Sequence, residues 1–466
     1  MDTKSFDSKL LIKWIISIGI SLLPLLFPTS EAFTPQVQKF LMVTIFAVAI
    51  IALELLDSYA AVMIVSALWI LTGSATIEKV FSAWSTSNIV MVISSLVFVN
   101  VLQKVGLLNR LGYWIILKSG GTFNRLIWAL FFGSIIICTV GFYLTWILGF
   151  ALGYALYKSL NCEVDDRKAQ VIVWTTTIGT ILAGVYIYCP ITVSLMVGSA
   201  GAIVPDFNIE WYQIIFYDLP IFFFSIFLVW LGLKWYARGA SSDDDVSESI
   251  NYFKNELAKL GPINNDEKKC IVLLAGVAIY LFTEVIHGMP TYLAFVIASA
   301  LCYFPGINIG DESCVKNVGW SNIFVVAMFL GLGTIAASLG LTAMISDAIV
   351  PIIAKMGSFW SIVGTTIFGA ATNFILSPFA MMGVLPGPIA SYCVGAGFDP
   401  TAHIMALYLA KDIIFFPYEY PAYLILFSFG MVRMGSMVKM CMIKSVLLIM
   451  AIIVLVMPYW KLIGLL

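Results

Sequence analysis

The chain has 466 residues, of which 61% are hydrophobic and 11% are charged, with a net charge of −1. Soluble domains are closer to 45–50% apolar and 25% charged, so the composition predicts an integral membrane protein of many spans. Its apolar runs are too long for the strands of a β-barrel, and its charge predicts no nucleic-acid partner. The eight cysteines show no C-x-x-C spacing, and no metalloprotease, P-loop or nucleophile-elbow motif occurs. We therefore predict no metal site and no enzyme activity.

The apolar runs, taken in chain order, predict an all-α polytopic protein with eleven transmembrane spans. The spans are expected at about 10–28, 37–54, 58–74, 87–104, 168–203, 211–233, 270–287, 291–304, 321–340, 401–430 and 443–463. Two more apolar segments, 127–157 and 359–392, are interrupted and bounded by short polar linkers. Segments of about 30 residues can cross once with a strong tilt, or enter and return as a hairpin.

The distribution of basic residues decides between these two readings. Basic residues cluster at Lys4, Lys9 and Lys13; at Lys104, Arg110, Lys118 and Arg125; at Lys158, Arg167 and Lys168; at Lys234, Arg238, Lys254, Lys259, Lys268 and Lys269; and at Arg433, Lys439 and Lys444. Segments 29–37 and 204–210 contain none. By the positive-inside rule the clusters are cytoplasmic, which makes 127–157 and 359–392 two re-entrant hairpins that face opposite ways. The N-terminus is then cytoplasmic and the C-terminus external, although Lys79 and Lys355 fall on the external side.

The two halves of the chain repeat. Segments 87–111 and 321–345 align without a gap at an offset of 234 residues. The residues of the first segment that find an identical partner are Ser87, Asn88, Ile89, Val92, Leu96, Gly106 and Leu107. Glu54 likewise corresponds to Glu284, and Pro190 to Pro421. The predicted orientation makes the repeats inverted, as in many secondary transporters.

The repeat divides the chain into four parts. An N-terminal span (1–36) precedes the first repeat (37–236), a cytoplasmic linker (237–269) and the second repeat (270–466). Ile250, Phe253, Leu257 and Leu260 of the linker have helical spacing, so part of it is expected to lie on the membrane surface.

Each half supplies a hairpin and a later span broken by proline. The first hairpin has Gly141–Gly149 at its centre, and the first broken span runs from Thr175 past Thr180 to Pro190. The second hairpin carries Thr372, Asn373, Ser377 and Pro378, and its broken span runs from Lys411 to Pro421. Broken helices expose N–H groups that suit an anion and carbonyls that suit a coupling cation. We expect the four elements to meet at one site.

Ionisable residues inside spans usually face a cavity or a partner. Lys411 and Asp412 are adjacent and either pair within the structure or lie at the site. Glu419, between two prolines, is either a coupling residue or a buried residue that ties the break to its neighbours. Glu54 and Glu284 recur at equivalent places and suggest an architectural role. His403 is interpreted as a packing residue.

These segments resemble the divalent anion/sodium symporter family, which includes the dicarboxylate, citrate and sulfate carriers. The resemblance covers about residues 37–466. It is carried by L-E-L-L-D at 53–57, T-E-V-I-H-G-M-P at 283–290, W-S-N-I-F-V-V-A-M-F-L-G-L-G at 320–333 and P-Y-W-K-L-I-G-L-L at 458–466. It implies two inverted repeats, a homodimer with scaffold and transport domains, and alternating access by an elevator movement.

The hairpin tips depart from the family. Members carry Ser-Asn-Thr there, which holds the substrate carboxylate and helps to bind sodium; the corresponding triplets here are 145–147 (T-W-I) and 377–379 (S-P-F), or 148–150 and 376–378 in another register. The later T-P-P-N-type turns are reduced to 188–190 (Y-C-P) and 420–422 (Y-P-A), with Glu419 added. The fold therefore transfers more firmly than the substrate or the sodium dependence.

The resulting hypothesis is a secondary active transporter of a small organic anion in the cell membrane. Its substrate residues are expected to be Thr145, Asn373, Ser377, Pro378, Pro190 and Pro421, and its coupling or gating residues Glu419, Thr372 and Thr180. No cofactor is expected besides a coupling ion, Na⁺ or H⁺. Two alternatives stay open: a proton-coupled or uncoupled carrier of a different small anion, and a non-transporting sensor or partner-binding protein.

Overall fold

The computed structural model describes residues 8–30, 33–53, 55–236, 246–341, 357–374 and 376–466. Glu54 and Lys355, which figured in the repeat and the orientation, lie outside these ranges, as do residues 237–245 of the linker and the side chain of Glu284.

Within the described ranges all regular structure is helical. The first repeat and the span before it contain α1 (Ser8–Ser21), α2 (Pro35–Ala52), α3 (Ser58–Leu71), α4 (Ile77–Val80), α5 (Ser87–Val105), α6 (Leu107–Lys118), α7 (Phe123–Val140), α8 (Trp146–Ser159), α9 (Arg167–Thr176), α10 (Pro190–Gly201), α11 (Trp211–Tyr217) and α12 (Leu219–Tyr236). The linker and the start of the second repeat contain α13 (Ser247–Lys259), α14 (Asn265–Phe282), α15 (Glu284–His287), α16 (Tyr292–Leu301), α17 (Glu312–Lys316) and α18 (Trp320–Ser338). The remainder contains α19 (Gly357–Thr372), α20 (Pro378–Val384), α21 (Pro386–Ala396), α22 (Pro400–Ala410), α23 (Pro421–Ser428), α24 (Met434–Ala451) and α25 (Met457–Leu462).

The lengths of these helices fit a polytopic membrane protein. Among the described residues, four helical stretches are long and apolar enough to cross a bilayer: Ser87–Val105, Phe123–Val140, Arg167–Gly201 and Met434–Leu462. Two bent pairs bring the number to six: α11 with α12, bent by 54°, and α20 with α21, bent by 42°. The all-helical membrane class is confirmed, while the eleven spans and the inverted repeats stay predictions.

The first predicted hairpin consists of α7 and α8. The helices run antiparallel, because Thr145 contacts Ile137 beside the tip and Leu152 lies against Gly133 farther from it. The turn requires left-handed backbone at two residues without glycine, Phe142 (φ 50°) and Tyr143 (φ 63°). Such backbone is uncommon in bulky residues and is retained where the surroundings hold it in place.

The second predicted hairpin consists of α19 and the bent pair α20–α21. Thr372 contacts Met381 near the tip, and the Thr365 hydroxyl contacts that of Tyr392 at 2.5 Å farther away, so the two arms also run antiparallel. Pro378 and Pro386 each begin one of the two short helices, at the position where a missing N–H costs no helical bond.

Both predicted broken spans are interrupted. After α9 the first continues through a π turn at 177–181 and a 3₁₀ turn at 182–185 before α10 begins at Pro190. The second loses regular helix after α22, passes a 3₁₀ turn at 417–419 and resumes as α23 at Pro421. These breaks leave main-chain carbonyls without helical partners inside the protein.

The linker is organised by α13, which packs against α6. Phe253 is fully buried and its ring lies 5.9 Å from that of Tyr113. Arg110 of α6 also binds the end of the linker, with its Nε 2.6 Å from Glu267 Oε1 at the start of α14. The apolar face predicted to lie on the membrane surface is therefore used, at Phe253, to attach the linker to the protein.

Candidate functional site

The tip of the first hairpin rests on the first broken span. The Tyr143 hydroxyl donates to the carbonyl of Ile181 at 3.0 Å. Its ring lies directly against Gly184, where a Cβ atom would overlap the ring carbons. Glycine at 184 thus lets the aromatic tip residue close onto the interrupted backbone.

The tip of the second hairpin is attached to the second broken span. Asn373 Nδ2 donates to the carbonyls of Ala410 (2.8 Å) and Ile413 (3.0 Å), and the Asn373 side chain is buried. Beside it the ring of Phe374 stacks on that of Phe415, with centroids 5.8 Å apart and planes inclined by 10°. One side-chain amide thus binds two carbonyls at the break, and that of Ala410 also accepts from the N–H of Ile413 at 3.0 Å.

The two broken spans meet at the carbonyl of Gly184. It accepts from the Tyr408 hydroxyl at 2.9 Å and from Lys411 Nζ at 3.2 Å. Lys411 Nζ also lies 2.5 Å from Asp412 Oδ2, and both side chains are buried. This ion pair therefore joins the first half of the chain to the second.

Helix α24 closes the arrangement from another side. Lys444 Nζ donates to the carbonyl of Asp412 (2.5 Å) and to the Tyr423 hydroxyl (2.6 Å), and the side chain is 0% exposed. Ser445 Oγ donates to the carbonyl of Ile414 at 2.6 Å. We call the group Tyr143, Gly184, Asn373, Lys411, Asp412 and Lys444 the polar centre.

The hydroxyls predicted to face substrate are engaged with their own hairpins. Thr145 is fully buried, and its Oγ1 donates to the carbonyl of Ile137 at 2.8 Å. Ser377 Oγ caps α20 by accepting from the N–H of Ala380 at 3.3 Å, and Thr372 Oγ1 donates to the carbonyl of Gly369 at 2.8 Å. In this conformation these three residues stabilise the tips, and among the predicted tip residues Asn373 makes the hydrogen bonds to the polar centre.

Glu419 lies at the turn between the two parts of the second broken span. Its carboxylate accepts from the N–H groups of Phe415 (3.2 Å) and Phe416 (2.9 Å). This is the geometry of a residue that ties the break to its neighbours, one of the two interpretations offered above. Pro190, Pro378 and Pro421 each stand at the first position of a helix.

Thr180 is a packing residue in this conformation. Its side chain lies against Gly149 of α8, where an added Cβ would be 2.5 Å from Thr180 Oγ1. Thr176, one turn earlier, meets Gly153 in the same way. Gly149 and Gly153, four positions apart on α8, let this helix approach the first broken span closely. Small residues commonly allow such close packing between membrane helices.

Two charged residues of interest were not singled out by the sequence. Lys444 was counted with the cytoplasmic basic cluster at the edge of the last span, although the structure buries it completely. Asp218 stands at the bend between α11 and α12, is 0% exposed, and both its carboxylate oxygens lack a partner among the described residues. The sequence feature that could have identified both residues is their position within or beside an apolar run, since an ionisable residue there generally marks a functional site.

An open cleft lies beside the first broken span. It has a volume of about 910 Å³ and is bordered by residues of α5, α10 and α18. Its polar lining includes Thr86, Asn88, Tyr188, Ser194 and Thr334. Ser194 Oγ is buried without a partner among the described residues, and no lysine, arginine or histidine of those residues lines the cleft.

Apolar helices, two helical hairpins and two interrupted spans around buried charges define the class of polytopic membrane transporters. The profile of the family described as "Sodium:sulfate symporter transmembrane region" matches residues 8–466, and the chain belongs to this family. The resemblance inferred from the sequence is thereby confirmed, and the family is one of transporters and not of enzymes.

Comparison with solved structures supports the fold. The chain is similar to the crystal structure of the Alcanivorax borkumensis YdaH transporter, described as having an unusual topology, with a TM-score of 0.57 and 14% sequence identity. The match covers 80% of this chain and 85% of that one. No curated protein matches the chain.

Proposed function

We propose that this protein is a secondary active transporter of a small organic anion, such as a di- or tricarboxylate. The observation that carries the proposal is the polar centre, in which both hairpin tips and both broken spans converge on buried ammonium groups. Membership of the sodium:sulfate symporter family supports transport of an anion. Buried charges of this kind are costly in a membrane and generally serve a transport path.

The open cleft would provide the route toward this centre. Tyr188 lies in the first broken span and Ser194 in the helix that follows it, and both border the cleft. The half-helices that start at Pro190 and Pro421 would offer the N–H groups of their first turns to an anion. Substrate would bind between them and the hairpin residues Thr145, Asn373, Ser377 and Pro378.

Alternating access would require the hairpin tips to separate from the broken spans or to move with them. We favour movement as one body, an elevator mechanism, because the hydrogen bonds of Tyr143 and Asn373 join each tip to its span. Glu419, Thr372 and Thr180 would act as gating or coupling residues by holding the break and the tip. A homodimer, a cytoplasmic N-terminus and an external C-terminus belong to the same proposal.

Uptake into proteoliposomes tests the proposal. Purified protein is reconstituted and offered a panel of radiolabelled dicarboxylates, tricarboxylates, sulfate and sulfonates under sodium gradients, proton gradients and no gradient. We expect saturable uptake of at least one anion, lost in Asn373→Leu and retained in Asn251→Leu, which alters an exposed residue of α13. Absence of uptake of every compound under all three conditions would refute transport.

One observation favours a second function, that of a non-transporting sensor or partner-binding protein. The hydroxyls of Thr145 and Ser377 are bound to their own hairpins, and the polar centre is closed by side chains. A sensor would bind an anion without moving it. The same panel, tested for thermal stabilisation of purified protein, would then give a shift with a compound that is not taken up.

A further inference from the structure

Four carbonyls at the second break accept hydrogen bonds from side-chain donors. Asn373 holds those of Ala410 and Ile413, and Ser445 holds that of Ile414. The fourth carbonyl, that of Asp412, accepts from Lys444 Nζ at 2.5 Å. The break in the first half shows the same feature at Gly184, whose carbonyl accepts from Lys411 Nζ.

Carbonyls of unwound helices are the groups with which secondary transporters hold a coupling cation. In this protein a lysine ammonium stands against such a carbonyl in each half. The Lys411 ammonium has, in addition, a carboxylate oxygen of Asp412 at 2.5 Å, which completes the mixed carbonyl and carboxylate surroundings typical of a hard cation. The ring of Tyr408 lies 4.4 Å away on another side of the same ammonium.

We propose that the ammonium groups of Lys411 and Lys444 occupy two coupling-cation positions, so that the protein binds no sodium at either of them. The positive charges are built into the chain. Their role in coupling rests on the proposed transport function, whereas their occupation of cation positions does not. A sodium ion at the same carbonyl would be repelled by the ammonium beside it.

The two ammonium groups differ in what they leave for a substrate. The charge of Lys411 is matched by Asp412. Lys444 contacts a carbonyl and a hydroxyl, and no carboxylate oxygen among the described residues lies within ion-pair distance of it. An ammonium on Lys444 would therefore have no described carboxylate as its direct partner and would draw an anionic substrate toward the break.

The test measures sodium binding through the stability of the purified, full-length protein. Melting temperatures are compared in sodium, potassium and choline chloride at equal ionic strength. We expect the wild type to be indifferent to the choice of cation. In Lys411→Met the ammonium is removed, and the Gly184 carbonyl and the Asp412 carboxylate both face the space that it filled. This variant should therefore show a sodium-specific rise in melting temperature of at least about 2 °C.

Lys444→Met provides a second variant, and Lys439→Met, which changes an exposed lysine of the same helix, is the matched control. The control should behave as the wild type does. A sodium-specific stabilisation of the wild type overturns the proposal. The proposal is also overturned if the lysine variants elute as folded protein and their melting temperatures do not rise in sodium. If neither variant folds, the melting temperatures of the wild type decide alone.

These outcomes are independent of transport. A protein that takes up no anion but shows the expected cation responses loses the proposed function and keeps the inference. A protein with sodium-driven uptake and sodium-specific stabilisation keeps the function and loses the inference.

Discussion

Both broken spans lose regular helix in their middle, but the first break contains uncharged hydroxyls and the second contains charged side chains. The first contains no charged residue from Thr175 to Pro190. Its hydroxyls at Thr175, Thr176, Thr180 and Tyr186 are buried without a partner among the described residues. The second contains Lys411, Asp412 and Glu419, and each of these charged groups is bound.

This difference indicates that the two breaks contribute to the site in different ways. In the second break, charged side chains satisfy the exposed backbone and fix its shape. In the first, small residues allow α8 to approach closely, and the helix that follows borders the open cleft. Removing the charged contacts of the second break should therefore lower the free energy of unfolding. Substitutions in the first break should act through helix packing.

The largest effect is expected from separating the buried ion pair. Asp412→Leu leaves the Lys411 ammonium buried without its carboxylate, which should lower the free energy of unfolding by about 3–5 kcal/mol. The double variant Lys411→Met with Asp412→Leu removes both charges and should regain most of that loss. Denaturation of detergent-purified protein measures both. A single variant no less stable than the double one would show that the pair does not anchor the break.

Close packing of the first span predicts a smaller loss. In Gly149→Ala the new Cβ would lie 2.5 Å from Thr180 Oγ1, and the overlap should cost about 1–3 kcal/mol. Gly364→Ala, in α19, is the matched control because nothing lies within 4 Å of its added Cβ. There alanine should be neutral or stabilising through its better helix propensity. Equal melting temperatures for the two variants would argue against a tight contact at Gly149.

The hydroxyls provide a finer comparison between bound and unbound groups. Thr145→Val removes the hydrogen bond to the carbonyl of Ile137 and should cost about 1 kcal/mol. Thr180→Val removes a hydroxyl without a described partner and should leave stability unchanged or slightly raised. Thermal unfolding of the two isosteric variants is the measurement. A loss at Thr180 as large as that at Thr145 would indicate a hydrogen bond to bound water or ligand.

The sequence allowed the individual hairpins and breaks to be predicted, but not the contacts between them. Interrupted apolar runs and the distribution of basic residues predicted both hairpins, and proline within an apolar run predicted both breaks. The Lys411 to Gly184 contact joins residues more than two hundred positions apart and leaves no local signal. Lys444 was misplaced because a basic residue at the edge of an apolar run is counted as a loop charge before its burial is known.

The candidate site shows the same limit at its tips. Thr145, Asn373 and Ser377 were chosen because their polar groups could face a substrate. Direction depends on the turn, however, and the left-handed backbone at Phe142 and Tyr143 turns an aromatic ring, rather than Thr145, toward the break. A single sequence does not specify such a turn when no glycine marks it.

The smallest effect is expected where the same two residue types pair at the surface. Lys104 Nζ lies 2.8 Å from Asp311 Oδ2, and both side chains are nearly half exposed. The hydrogen bonds from Lys104 and from Ser313 hold the pKa of the Asp311 carboxyl below its ordinary value. Because that pKa is lowered on folding, its stabilising contribution is present above about pH 4 and is lost as the pH falls further. Asp311→Asn should therefore lower the melting temperature slightly at neutral pH, and the difference from the wild type should shrink in acid and in high salt. A loss as large as that in Asp412→Leu would mean that burial does not distinguish the two pairs.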